Sequence, residues 1–161
     1  MSTRPDPDAL GFVLIDVARM LRSAFERRIA TAGLGLTPGE ARTLVRIATL
    51  EGSRQLEIAQ QMGIEPMTLS TYLDRLQSLG FIERRADPAD RRAKLIHTTP
   101  AAAEIIARIR VEQIELMRLV TGGIGEDDLS LMHERMKHLR ANLSVLEEGG
   151  GAPSLASQAI R

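Results

Sequence analysis

The sequence contains no cysteine and no tryptophan, and only one tyrosine. The absence of cysteine excludes disulfides, thiolate zinc sites and any cysteine-based redox switch. With aromatics at 2% of residues, the core must be built mainly from Leu, Ile, Val, Met and Ala. There is no charged-then-apolar leader and no apolar run long enough to cross a bilayer, so the expected location is cytoplasmic, away from membranes. Net charge is absent too: 21 cations balance 21 anions, which argues against a nonspecific coat on nucleic acid.

The charge is nevertheless unevenly placed. Between Arg84 and Lys94, five cations (Arg84, Arg85, Arg91, Arg92 and Lys94) face two anions, Asp87 and Asp90. Between Ala101 and Glu148, six cations face nine anions. An anionic partner would therefore meet the short basic segment.

The remaining pattern is mainly helical. Leu10, Val13, Leu14, Val17, Leu21 and Phe25 mark one face of a helix over residues 8–31, ended by Gly33 and Gly35. Thr37-Pro38-Gly39-Glu40 is a capping box that opens a second helix reaching about Leu50. Two short helices follow, 54–62 and 66–79, around Gly63. Phe81–Arg84 and Lys94–Thr98 have the character of short strands, joined by the polar turn Asp87-Pro88-Ala89-Asp90. Thr99-Pro100 should open another helix by the same cap-then-proline logic. Gly122, Gly123 and Gly125 interrupt it near Val120, and Glu126, Asp127 and Asp128 favour a new N-terminus. The last helix carries Leu129, Met132, Met136, Leu139, Leu143 and Leu146 as an a/d seam. Residues 149–161 are expected to form a flexible tail.

Residues 55–74 meet the demands of a helix-turn-helix. Ala59 is small where two steeply crossed helices approach, and Gly63 accepts a left-handed turn. Ile58, Met62, Ile64, Leu69 and Tyr72 point inward, with Leu73 and Leu76 extending the stripe. Thr68, Thr71 and Arg75 point away from it, flanked by Met67 and Ser70, and suit base edges or phosphates near a helix N-terminus. An amphipathic hairpin with a solvated polar face would produce the same periodicity. The strand–turn–strand that follows favours the DNA-reading version, because Arg91, Arg92 and Lys94 at a hairpin tip suit the electronegative minor groove, and a nearby aspartate can fix an arginine there.

With those residues in view, the stretch LDRLQSLGFIERRADPADRRAKLIHTTPAA resembles the recognition-helix end, wing and following helix of MarR-type regulators. IEPMTLSTYLDRL is similar to the SlyA-like branch, and TPGEARTL fits as well. The resemblance spans residues 8–148. It implies a mainly α fold with a small β wing: an N-terminal dimerisation helix (8–35), a winged helix-turn-helix domain (36–99, with the helix-turn-helix at 54–79 and the wing at 81–98) and C-terminal dimerisation helices (100–148). It also implies a homodimer on a pseudo-palindromic double-stranded DNA operator, a repressor of its own or adjacent genes, and relief by a small phenolic or anionic ligand. By position, Arg92 would enter the minor groove with Asp90 bracing it. Three positions depart from the pattern: Arg54 stands where a small capping hydroxyl is usual, Thr98 replaces a leucine and Ala102 a glycine. Ser53 would then cap in place of Arg54, and Arg54 would touch phosphate.

The DNA-binding set is therefore Arg54, Met67, Thr68, Ser70, Thr71, Arg75, Asp90, Arg91, Arg92 and Lys94. No catalytic constellation, cofactor or metal site is expected: His133 and His138 lie about 140° apart around a helix, and no nucleophile–base pair is evident. Arg19, Arg22 and Arg46 are candidates for an anionic effector, although salt bridging on solvated faces is the favoured reading. The competing function is a winged-helix protein–protein module without sequence-specific DNA binding.

Overall fold

The start of the second helix is set locally, at Thr37. Its hydroxyl accepts the Glu40 N–H at 3.3 Å while the Glu40 carboxylate accepts the Thr37 N–H at 2.8 Å, completing the capping box. The computed structural model describes residues 4–147. Its elements run α1 (Leu10–Thr31), α2 (Pro38–Thr49), β1 (Ser53–Arg54), α3 (Gln55–Met62), α4 (Pro66–Ser78), β2 (Ile82–Ala86), β3 (Lys94–Thr98), a 3-10 turn (Pro100–Ala102), α5 (Ala103–Val120) and α6 (Glu126–Glu147). The expected tail from Gly149 lies outside the described residues.

The chain forms two units that divide at Met117–Arg118, within α5. In the first, Leu44 and Ile47 of α2, Ile58 of α3, Leu69, Leu73 and Leu76 of α4, Ile96 of β3 and Ile109 of α5 are all fully enclosed. This core is aliphatic, as the scarcity of aromatics requires. Phe25 and Ile29 bring the C-terminal half of α1 into it. The N-terminal half of the expected α1 face stays outside: Leu10, Val13 and Val17 are exposed. Thr43 is the one fully enclosed polar side chain among the described residues, and its hydroxyl donates to the Gly39 carbonyl at 2.8 Å. In the second unit, α6 buries no residue, so its seam residues Met132, Met136, Leu143 and Leu146 remain exposed.

The sheet is antiparallel, in the order β1-β3-β2. Ser53 and Arg54 pair with Ile96 and Leu95 on one side of β3, and Ile82 through Ala86 pair with Thr98 through Lys94 on the other. This corrects three expectations. Ser53 is a strand residue and not a cap; Arg54 is the N-cap of α3 and offers no side-chain cap bond. The first wing strand runs to Ala86 rather than Arg84, because the ladder continues to the Lys94 pairing. Thr99 makes no side-chain cap bond to the helix that follows; its hydroxyl is turned toward the Gly80 carbonyl and donates to it at 2.5 Å, tying the end of β3 to the end of α4.

Two departures from the family pattern acquire reasons. The Thr98 hydroxyl and N–H both donate to the Glu51 carboxylate, which a leucine side chain could not do in full. The Ala102 methyl is fully buried in the core.

Candidate nucleic-acid interface

The candidate recognition element is assembled by one turn. Gly63 sits at φ 61°, ψ 40°, the left-handed region where an added Cβ is strained, and Ala59 beside it is 1% exposed. Pro66 then sets the first turn of α4. With Leu69, Leu73 and Leu76 locked inward, the helical period forces Thr68, Thr71 and Arg75 out into solvent. Met67 is 80% exposed, the most exposed large apolar side chain among the described residues, and Ser70 is half-buried. The Thr71 hydroxyl donates to the Met67 carbonyl at 3.2 Å, which leaves its lone pairs free to accept.

The wing divides into a paired base and an unpaired tip. Arg84 of β2 donates to Asp74 at 2.7 Å and to Gln77 at 2.6 Å, joining the wing to α4. Arg85 is held by Glu83 on its own strand. Half of the basic segment's arginines are thus structural ties. Arg91, Arg92 and Lys94 are exposed and carry no ion pair among the described residues, and the same holds for Arg75 on α4.

The tip is shaped by aspartates. Asp87 Oδ1 accepts the Ala89 N–H at 2.8 Å, and Asp90 Oδ1 accepts the Arg92 N–H at 3.0 Å. The Asp87 N–H and Ala93 carbonyl close the loop at 3.2 Å. Asp90 therefore braces Arg92 through its backbone, with no ion pair to the guanidinium. Asp87 is held below the usual carboxylate range, first by the Ala89 N–H and then by Arg54. Arg54, expected at phosphate, donates from Nε at 2.9 Å and Nη2 at 2.5 Å to Asp87 Oδ2, and its own pKa is raised by that pairing. Sequence reading missed this tie because the two residues lie 33 positions apart.

Within the same unit, a cavity of about 520 Å³ opens between α1, α2, the end of α3 and α5. Arg22, Arg42 and Arg46 line it together with Phe25, Val45 and Met62. Arg42 Nε is buried without a hydrogen-bond partner among the described residues, and its Nη1 lies 3.6 Å from Glu26. Arg22 and Arg46 are thus brought together, whereas Arg19 is absent from the lining and pairs with Asp16 on an exposed face. Arg42 was missed because its segment carries the stronger capping signal. No group of three or more His, Asp or Glu side chains suited to a metal exists among the described residues, and no described helix is long and apolar enough to cross a membrane.

Comparison with known proteins converges on one group. The family model described as MarR family matches residues 36–94. The crystal structure of a transcriptional regulator, PA3341, is 33% identical, covering 83% of this chain and 97% of that one with a TM-score of 0.70. A crystal structure of a protein named MarR is 29% identical over 91% of this chain and 99% of that one, with a TM-score of 0.73. A MarR-family transcriptional regulator from Rhodococcus sp. RHA1 shares the fold at 24% identity, covering 85% of this chain and 96% of that one with a TM-score of 0.71.

Proposed function

Since this chain belongs to the MarR family of transcriptional regulators, we propose that it acts in the cytoplasm as a homodimeric, sequence-specific repressor of its own or adjacent genes. The observation that carries this reading is one lobe presenting both halves of a duplex-binding surface. Thr68, Thr71 and Arg75 stand out from α4, and Arg91, Arg92 and Lys94 stand unpaired at the wing. The helix has the short polar and donor groups that read base edges in a major groove; the wing has the cations that suit a flanking minor groove.

Dimerisation is supported by apolar faces that the single chain leaves open. Leu10, Phe12, Ile15 and Met20 of α1, and Val111 and Ile114 of α5, are exposed in the first unit; Leu131, Leu143 and Leu146 are exposed on α6 in the second. A twofold pair would bring two recognition helices to successive major grooves, about one helical turn apart, and so select pseudo-palindromic sites.

The arginine-lined cavity supports relief by a small anionic ligand. Its three guanidinium groups over an apolar floor suit a carboxylate on a small ring, and the orphan Nε of Arg42 is a donor in need of an acceptor. Such a ligand would act through its differential affinity for the DNA-competent and DNA-incompetent states.

The test is selection of duplexes from a random pool, followed by anisotropy titration at two salt concentrations with unrelated competitor DNA. Enrichment of a pseudo-palindrome whose affinity falls steeply with salt is the expected result. A pool that emerges without consensus would transfer the reading to a protein–protein module on the same fold.

A further inference from the structure

Arg54 lies on β1, at one edge of the sheet, and Asp87 lies just past the end of β2, at the other edge. Joining them means crossing β3, roughly two strand spacings or about 10 Å. A serine or threonine hydroxyl cannot span that gap, but an arginine can. The two residues meet through a fork: Nε and Nη2 both donate to Asp87 Oδ2. The other oxygen, Oδ1, is occupied by the Ala89 N–H. The carboxylate is 8% exposed, so water competes little for it. One carboxylate thus shapes the wing turn with one oxygen and receives the brace with the other.

β1 needs such help, because it contributes two residues to the ladder. Arg54 is also the N-cap of α3. The brace therefore links the start of the helix-turn-helix directly to the base of the loop that carries Arg91 and Arg92.

We propose that Arg54 is a wing-positioning residue: it fixes the stance of the wing-tip cations through Asp87 and does not itself bind DNA phosphate. The proposal rests on the DNA-binding reading above and assigns one of its expected contact residues a different part.

The two parts differ in their chemistry. A phosphate contact needs a positive charge, which lysine keeps; a brace from Nε and Nη2 needs the planar fork, which lysine lacks. Parent, Arg54→Lys, Arg54→Gln, Arg92→Ala and the Arg54→Gln/Arg92→Ala double variant would be titrated with duplexes selected by the parent. Flanks would be A·T-rich or G·C-rich, at several salt concentrations, with melting curves confirming that each variant folds. Amide exchange in the free protein would report Ala89, Arg92 and Ala93.

The expected result is that Arg54→Lys and Arg54→Gln lose preference for A·T flanks alike, by roughly tenfold. The salt slope should stay at the parent value, and exchange at the wing turn should rise. In the Arg92→Ala background, Arg54→Gln should cost nothing further. A lysine variant with parent affinity, a slope lowered by about one on Arg54→Gln, or an undiminished effect of Arg54→Gln without Arg92 would each overturn the brace and restore a phosphate contact. A parent that selects no sequence would overturn the DNA reading itself, and exchange in the free protein would still report whether Arg54 holds the wing.

Discussion

The phenol ring of Tyr72, on α4, fills the space into which a Cβ on Gly39, in the first turn of α2, would project. Glycine there is a matter of clearance, since its φ is not in the left-handed region. The consequence reaches the proposed DNA-reading face of α4, because Tyr72 is the immediate neighbour of Thr71.

Gly39→Ala should therefore destabilise the fold, by about 1–3 kcal/mol if the ring must be displaced by overpacking. In a Tyr72→Ala background the same change should stabilise by up to about 1 kcal/mol, because alanine is the better helix former. Urea denaturation of the four proteins checks this. An equal effect of Gly39→Ala in both backgrounds would show that the ring is not the obstacle.

The helix and the wing should fail differently. Thr71→Ala or Arg75→Ala should relax sequence choice by about 1–3 kcal/mol for each base edge no longer read. Arg92→Ala should leave the central consensus intact and weaken binding chiefly at A·T-rich flanks. Affinities across a panel of single-base and flank variants separate the two, and the assignment fails if either mutant binds the whole panel as the parent does.

Acid should remove the contribution of Asp87. Its carboxyl is depressed below the ordinary value of 3.8 by the Ala89 N–H and Arg54. A depressed carboxylate contributes stability that is complete above the unfolded-state value and is lost as pH falls through the folded-state value. The stability difference between the parent and Asp87→Asn should thus be constant from neutrality down to about pH 5 and close as pH falls below 3.8. Chemical denaturation across that range measures it; a gap that persists in strong acid would locate the benefit of Asp87 in something other than its charge.

Arg42→Met should separate stability from ligand response. The methionine keeps much of the apolar stem and removes a buried donor that has no partner among the described residues. Such an orphan costs about 1–3 kcal/mol, so the variant should melt at or above the parent temperature. Release of DNA by an aromatic carboxylate should be lost in the same protein. A variant that is both less stable and still released would put the anion elsewhere.

How far the sequence carried depended on the range of each interaction. The capping box at Thr37, the left-handed Gly63 and the inward set Ile58, Met62, Leu69, Leu73 and Leu76 were legible because each is decided within about one helical turn. The outward row Thr68, Thr71 and Arg75 followed from the same periodicity. β1 was illegible because two residues carry no alternation, and only their pairing with β3 makes them a strand. Thr99 has the residue type of a cap, but its side chain is oriented toward the Gly80 carbonyl, 19 residues earlier in the chain, and makes no cap bond. The Asp87 partner of Arg54 and the place of Arg42 in the cavity were hidden for a related reason, since what each touches is brought to it by the fold.

The division of the wing into a paired base and an unpaired tip has a bearing on how this protein would explore a genome. With zero net charge, it exerts little pull on a polyanion from beyond the screening distance of about 8 Å at physiological salt. Within that distance, on the proposed reading, Arg75, Arg91, Arg92 and Lys94 would be what a duplex meets. Encounters with arbitrary DNA would then be brief and weakly steered, and dwell time would accumulate only where groove shape and base edges match the surface. Most of the protein would remain in solution between visits, available to whatever small molecule its arginine-lined cavity accepts.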